Sequence, residues 1–278
     1  MKPHAFVPLV TYPDANAEAV AANAVALAAL IDADIHAVAI NPDIPDISNA
    51  LSKLLLDTPE LIRAAEATSR QSGKRLLELI GQEAAAAGVE ATTLEVVVPL
   101  TELAEAAAMH ARYFDLSLIG WEAGNSASRM TAEAVIFGSG RPAILLPEML
   151  SVSSIDHVAI AWDGSRVAAR AVADAQIFLE RSTRISILTV LDEKPLTDKD
   201  AGERLREALH RHGLDAQVVP INAEDCPIAE TLQQLAIERG ARLLVMGGYG
   251  HSRMRDFVLG GATNGVLGDL LMPVLLSH

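Results

Sequence analysis

Short apolar runs alternate along this chain with longer segments whose apolar positions recur every three or four residues. The runs suit strands buried on both faces, and the recurrence suits helices packed on one face. Residues 4–12 therefore form a strand, and the alanine-rich residues 17–31 a helix. A second strand covers 35–40. Pro42, Pro45 and Ser48 mark a long connection, in which 51–62 and then 68–87 are helical, with Gly88 as the stop. A third strand at 93–98, a helix at 100–111, a fourth strand at 116–119, a short helix at 132–137 and a fifth strand at 143–146 complete the first half. After a polar linker at 151–156 the alternation restarts. Strands fall at 157–162, 185–190, 216–221, 243–246 and 274–276. Helices fall at 166–180, 201–212, 227–239 and 263–271, and Pro227 suits a first helical position.

The chain is thus a tandem repeat of units of about 140 residues, each βαβαβαβαβ, which matches ordinary domain sizes. The openings His4-Ala5-Phe6-Val7-Pro8-Leu9 and His157-Val158-Ala159-Ile160-Ala161-Trp162 correspond. So do the endings Pro142-Ala143-Ile144-Leu145-Leu146 and Pro273-Val274-Leu275-Leu276-Ser277. Strands alternating with helices imply parallel sheets joined by right-handed crossovers. The expected fold class is α/β, with domains at 1–150 and 151–278.

Composition narrows the partners. Of 278 residues half are apolar and 4% aromatic, so the cores are built from Ala, Val, Leu and Ile. The formal charge of −14 argues against nucleic acid and anionic membrane surfaces. The single Cys226 excludes an internal disulfide and fits a reducing compartment. Met1-Lys2-Pro3-His4 leads straight into a strand, without the pattern of a secretion signal. The longest apolar runs fall well short of the roughly 20 residues of a membrane span. The expected location is the cytoplasm.

The candidate chemistry lies in Leu-Leu-Val-Met-Gly-Gly-Tyr-Gly-His-Ser-Arg-Met-Arg-Asp-Phe-Val-Leu-Gly-Gly-Ala-Thr-Asn, residues 243–264. A strand breaks at Gly247, Gly250 follows, and Gly260-Gly261 precedes the helix start Ala262-Thr263-Asn264. Glycines let an anion approach main-chain N–H groups, and a helix N-terminus favours negative charge. His251, Arg253 and Arg255 add side-chain cations. The segment suits a phosphate cradle, and a glycine-rich loop without a ligand is the competing reading. It is neither a G-x-x-x-x-G-K-[ST] loop nor a G-x-G-x-x-G fingerprint.

The spacing G-x2-G-x9-G, with Ala161-Trp162-Asp163-Gly164-Ser165 after a first strand, resembles the universal stress protein family, present here as two domains in one chain. Gly261 stands where that family usually has Ser or Thr. The resemblance implies two tandem doubly wound parallel sheets, Rossmann-like, with strand order 3-2-1-4-5 and a ligand at the switch point between strands 1 and 4. It implies that Ala161, Val190 and Met246 line an adenine pocket and that Asp163 hydrogen-bonds the adenine or ribose. It further implies that Gly247, Gly250, Gly260 and Gly261 present N–H groups to phosphates at the helix start Ala262-Thr263, with the Thr263 hydroxyl beside them. His251 is placed to contact a phosphate. Each has a plainer structural reading: Asp163 as a helix cap, Ala161 and Val190 as core, Thr263 as a cap, His251 as a surface turn residue.

The first half departs from this pattern. Gly120 corresponds to Gly247, but Pro142 follows Gly120 by 22 residues whereas Pro273 follows Gly247 by 26. Trp121 and Glu122 occupy the turn, and Glu122 would repel a phosphate. A working nucleotide site is expected only in the second half, with the first degenerate. No catalytic residue and no metal cluster stands out; any Mg²⁺ would arrive with the nucleotide. The expected function is a stress-response protein binding ATP, ADP or AMP, acting as a nucleotide-dependent regulator or interaction module for an unidentified protein partner. A slow Mg²⁺-dependent ATPase or ATP-using transferase, and a ligand-free scaffold, are the alternatives. The resemblance also implies pairing of residues 143–146 with 274–276 in an intramolecular pseudo-dimer, with homodimerisation left open.

Overall fold

The computed structural model describes residues 2–45, 58–191, 200–222, 226–248 and 261–278. They belong to two compact units, Met1–Arg141 and Pro142–His278. The repeat read from the sequence divides at 150/151, whereas the units divide before Pro142, because the strand Ala143–Pro147 pairs inside the second unit.

Unit 1 carries β1 (His4–Val10), β2 (Asp34–Asp43), β3 (Ala91–Pro99) and β4 (Leu116–Trp121), in the order β3-β2-β1-β4 and all parallel. Five consecutive core residues of β1, Ala5 to Leu9, are buried, as are all six of β4. Their unbroken apolar runs reflect helices on both faces. The helices are α1 (Ala19–Leu30), α2 (Thr58–Ala87), α3 (Leu103–Ala111) and α4 (Ser126–Gly138). A break between two helices was expected around residues 62–68, but α2 runs through it for 30 residues. The segment Arg63-Ala64-Ala65-Glu66-Ala67 contains only strong helix formers, and nothing there stops a helix. The residues expected as helix at 51–57 lie outside the described residues. Helix α4 begins six residues before the expected start at 132. Asn125 caps it, its Oδ1 accepting from the N–H groups of Ala127 and Ser128 at 3.1 and 3.0 Å.

Unit 2 carries β5 (Ala143–Pro147), β6 (His157–Ala161), β7 (Arg184–Val190), β8 (Ala216–Ile221), β9 (Leu243–Gly247) and β10 (Val274–Ser277). The order is β8-β7-β6-β9-β10, followed by β5. The first five are parallel and reproduce the expected 3-2-1-4-5 order. Strand β5 runs antiparallel to β10, with Leu145 opposite Val274 and Ala143 opposite Leu276. The single helix expected at 166–180 is two, α5 (Arg166–Asp174) and α6 (Gln176–Leu179), interrupted at Ala175. Then come α7 (Ala201–Arg211), α8 (Ile228–Glu238) and α9 (Gly261–Val266). Pro227 is the residue before α8, with ψ 126°, so it sits at the cap position rather than the first helical one. Among the described residues, no helix is long and apolar enough to cross a membrane.

The amino ends of the two sheets each hold a histidine, His157 buried and His36 half-buried. His157, 4% exposed, shares a 2.9 Å hydrogen bond between Nε2 and Ser186 Oγ, and its Nδ1 lies 2.5 Å from Arg184 Nη2. A guanidinium only donates, so Nδ1 accepts and Nε2 carries the proton. Burial, then the Arg184 charge, lowers the His157 pKa. His36 stacks on Phe114 at 5.0 Å; burial, then the nearby His110, lowers its pKa too.

Candidate functional site

In an open parallel sheet the helices leave a crevice outside the carboxyl ends of the strands, where the connections change direction. In unit 2 that point lies between β6 and β9. The register places Ala161 beside Leu188 and Val190 beside Ile221, so the ends of β6 and β7 form one rim with Met246 and Gly247 of β9. Met246 is 4% exposed and part of the core. Ala161, Val190 and Gly247 are half-buried, as expected of residues at a strand end.

Gly247 is required by packing. A Cβ there would lie 2.6 Å from both the Ala168 backbone nitrogen and the Val167 carbonyl carbon. Helix α5 therefore rests directly on the last residue of β9. Gly248 is tied down on both sides: its N–H donates to Ser277 O at 2.7 Å, and its carbonyl accepts from His278 Nδ1 at 3.0 Å. These bonds fix the direction in which the chain leaves β9.

Asp163 is exposed in the turn between β6 and α5. Its Oδ1 accepts from the Ser165 N–H at 2.9 Å, and Gly164 has φ +73°. The helix cap is Ser165, whose Oγ accepts from Ala168 N–H at 3.2 Å. One oxygen of Asp163 thus shapes the turn, and the carboxylate stands at the rim of the crevice. Trp162 holds the opposite wall through a 2.9 Å bond from its indole N–H to Ala201 O at the start of α7.

Of the other expected residues, Gly250, His251 and Gly260, together with Arg253 and Arg255, lie outside the described residues. Gly261, Ala262 and Thr263 form the first turn of α9. Thr263 is 4% exposed and its carbonyl accepts from Leu267 N–H. The sequence reading missed Gln233, 1% exposed on α8. Its Nε2 donates to Asp269 O and its Oε1 accepts from Leu271 N–H, both at 2.8 Å, pinning the segment after α9. A buried glutamine on an otherwise apolar helix face was the available signal.

At the same end of unit 1 the position of an anion is taken by the protein itself. Gly120 of β4 packs on α1 as Gly247 packs on α5: a Cβ there would meet Val20 Cγ2 at 2.6 Å. Two residues on, the Glu122 carboxylate takes three donors. Ala17 N–H reaches Oε1 at 2.6 Å, Asn16 Nδ2 reaches Oε1 at 3.1 Å, and Asn125 Nδ2 reaches Oε2 at 2.9 Å. Asn16, 5% exposed, also donates to Ser128 Oγ and accepts from Val10 N–H. Backbone and amide N–H groups converging on an anion are what a phosphate would use. Here a carboxylate of the chain takes them.

Comparison with known proteins agrees with this geometry. The model of the universal stress protein family matches residues 154–278. A universal stress protein from Archaeoglobus fulgidus DSM 4304 has a similar structure, with TM-score 0.69 and 19% identity, covering 98% of this chain and 95% of that one. A protein of unknown function from Pseudomonas aeruginosa PAO1 superposes with TM-score 0.54 and 13% identity, covering 98% of this chain and 92% of that one. At these identities the likeness is one of fold. No curated protein matches the sequence. The family match falls on residues 154–278, so it is the second unit that carries the likeness to the universal stress protein family.

Proposed function

We propose that unit 2 binds an adenine nucleotide at the carboxyl ends of β6, β7 and β9, and that the protein acts as a nucleotide-dependent regulator or interaction module in a stress response. The observation that carries this reading is the rim itself: Ala161, Val190 and Met246 beside the exposed Asp163 turn, in a family domain. Ala161 and Val190 offer small apolar surface to a base. Asp163 offers an acceptor to a ribose hydroxyl or an exocyclic amine. Phosphates extend toward the glycines that follow β9, where the sequence supplies Gly250, Gly260, Gly261 and the cations His251, Arg253 and Arg255. Mg²⁺ accompanies the triphosphate. Unit 1 takes no nucleotide, because Glu122 occupies its anion position.

Calorimetric titration of the nucleotide-stripped protein with ATP and Mg²⁺ tests the reading. One site per chain is expected, weakened by Asp163→Ala and abolished by Val190→Trp, which fills the base position. Two sites per chain would overturn the assignment to unit 2 alone. ATP turnover that disappears in Asp163→Ala would replace the binding module with an ATPase. Absence of heat and of any thermal shift would leave a scaffold.

A further inference from the structure

We propose that unit 1 has its own ligand, a small uncharged and largely apolar molecule, held at the carboxyl ends of β1 and β2. A cavity of about 300 Å³ opens there, at the lower end of the range for small-molecule sites. Its walls come from Leu9 and Val10 of β1, Ile40 of β2, Leu103 of α3, and Ala127 and Met130 of α4. It therefore lies where the connections of the sheet change direction, the position at which such sheets receive ligands.

The lining decides the chemistry. Among the described residues, neither a cationic nor an anionic side chain lines the cavity. Thr11 is on the wall, but its hydroxyl is already engaged, donating to Ile40 O at 2.7 Å and accepting from Ser69 Oγ at 2.8 Å. Tyr12, Thr101 and Thr131 bring the other hydroxyls, enough to orient a ligand by a few hydrogen bonds. Beside the cavity, at the start of α4, Asn125 and Ser128 belong to the network around Glu122. The N–H donors that could receive a phosphate are spent on that carboxylate, and its charge opposes a second anion. A charged ligand entering these walls would be desolvated without compensation. A neutral one gains in proportion to the apolar surface it removes from water. The volume equals that of about ten waters at roughly 30 Å³ each, room for a fused pair of rings.

The test uses the full chain and the neutral fluorophore 6-propionyl-2-(dimethylamino)naphthalene, whose emission shifts to the blue in apolar surroundings. One site per chain with shifted emission is expected. Ala104→Trp, at a half-buried wall position, should weaken binding about tenfold or more by filling the space, and Met130→Asp, at an exposed rim position, should do so by adding charge. Thermal melting of both variants shows whether the fold is intact. Saturating ATP with Mg²⁺ and the Val190→Trp variant should leave the fluorophore in place, which separates this site from the one proposed in unit 2. Absence of a blue shift, unchanged affinity in both variants while they remain folded, or displacement by ATP would each overturn the proposal.

Discussion

A Cβ on Gly247 would stand 2.6 Å from the backbone nitrogen of Ala168, so the main chain of α5 lies directly against the end of β9. Backbone cannot rotate away as a side chain can. Gly247→Ala must push α5 off the sheet, and overpacking of this kind costs about 1–3 kcal/mol, with the main-chain contact placing it at the upper end. Gly120→Ala meets side-chain atoms instead, Val20 Cγ2 at 2.6 Å and Val20 Cβ at 3.1 Å, and a β-branched side chain is stiff yet able to give. Urea unfolding should show a larger loss for Gly247→Ala than for Gly120→Ala. Equal losses would mean that α5 shifts freely.

Glu122 holds two loops of unit 1 together through Ala17, Asn16 and Asn125. Glu122→Ala leaves these half-buried donors without their acceptor, at a cost of about 1–3 kcal/mol. Glu122→Gln keeps one oxygen for Ala17 and Asn16 but turns an N–H₂ toward Asn125 Nδ2, so it should fall between. The urea midpoints of the two variants order these effects. A Gln variant as stable as the parent would remove the charge from the account.

Two histidines make stability depend on pH with a definite sign. His157 and His36 have pKa values lowered in the fold, chiefly by burial. As pH falls through about 6.5 the unfolded chain takes up these protons while the folded chain does not. The unfolded state then binds more protons, so stability is complete above this range and falls as pH falls through it. In His157→Gln the slope of stability against pH below about 6.5 should flatten, whatever the absolute stability. An unchanged slope would show that His157 is not the group responsible. Arg184, Arg239, Asp156 and Asp215 surround it.

Gln233 satisfies two main-chain groups at once, Asp269 O and Leu271 N–H. Gln233→Leu keeps the volume and orphans both, so a loss of about 1–3 kcal/mol is expected. Hydrogen exchange at Leu271 should rise with it. Protection that stays as before would mean that another acceptor takes the amide.

The strands of both sheets were legible because each is a short apolar run between breakers; alternation with helices implied parallel pairing, and the order came from the family resemblance. The residues Ala161, Val190 and Met246 at the ends of β6, β7 and β9 came from the family resemblance, carried over position by position. Other features depend on long-range partners that periodicity does not record. Ala175 interrupts a segment rich in alanine, and no local signal announces it. Glu122 looked like a residue that repels anions; that it stands in for one depends on Asn16 and Ala17, more than a hundred residues earlier. Asn125 was a readable cap, an asparagine before Ser126-Ala127-Ser128, hidden by a first turn of weak apolar pattern.

Strand β10 has hydrogen-bonded neighbours on both sides, β9 in parallel and β5 in antiparallel. Ile144, Leu145, Val274, Leu275 and Leu276 are all 0% exposed there. Segments of this kind, apolar, uncharged and prone to extend, are the ones that template stacking between chains when their edges open. Each of the two keeps the other out of reach. The consequence is colloidal: a substitution that loosens the β5–β10 pair shows first as cloudiness in concentrated solution, and only afterwards as a lower melting temperature.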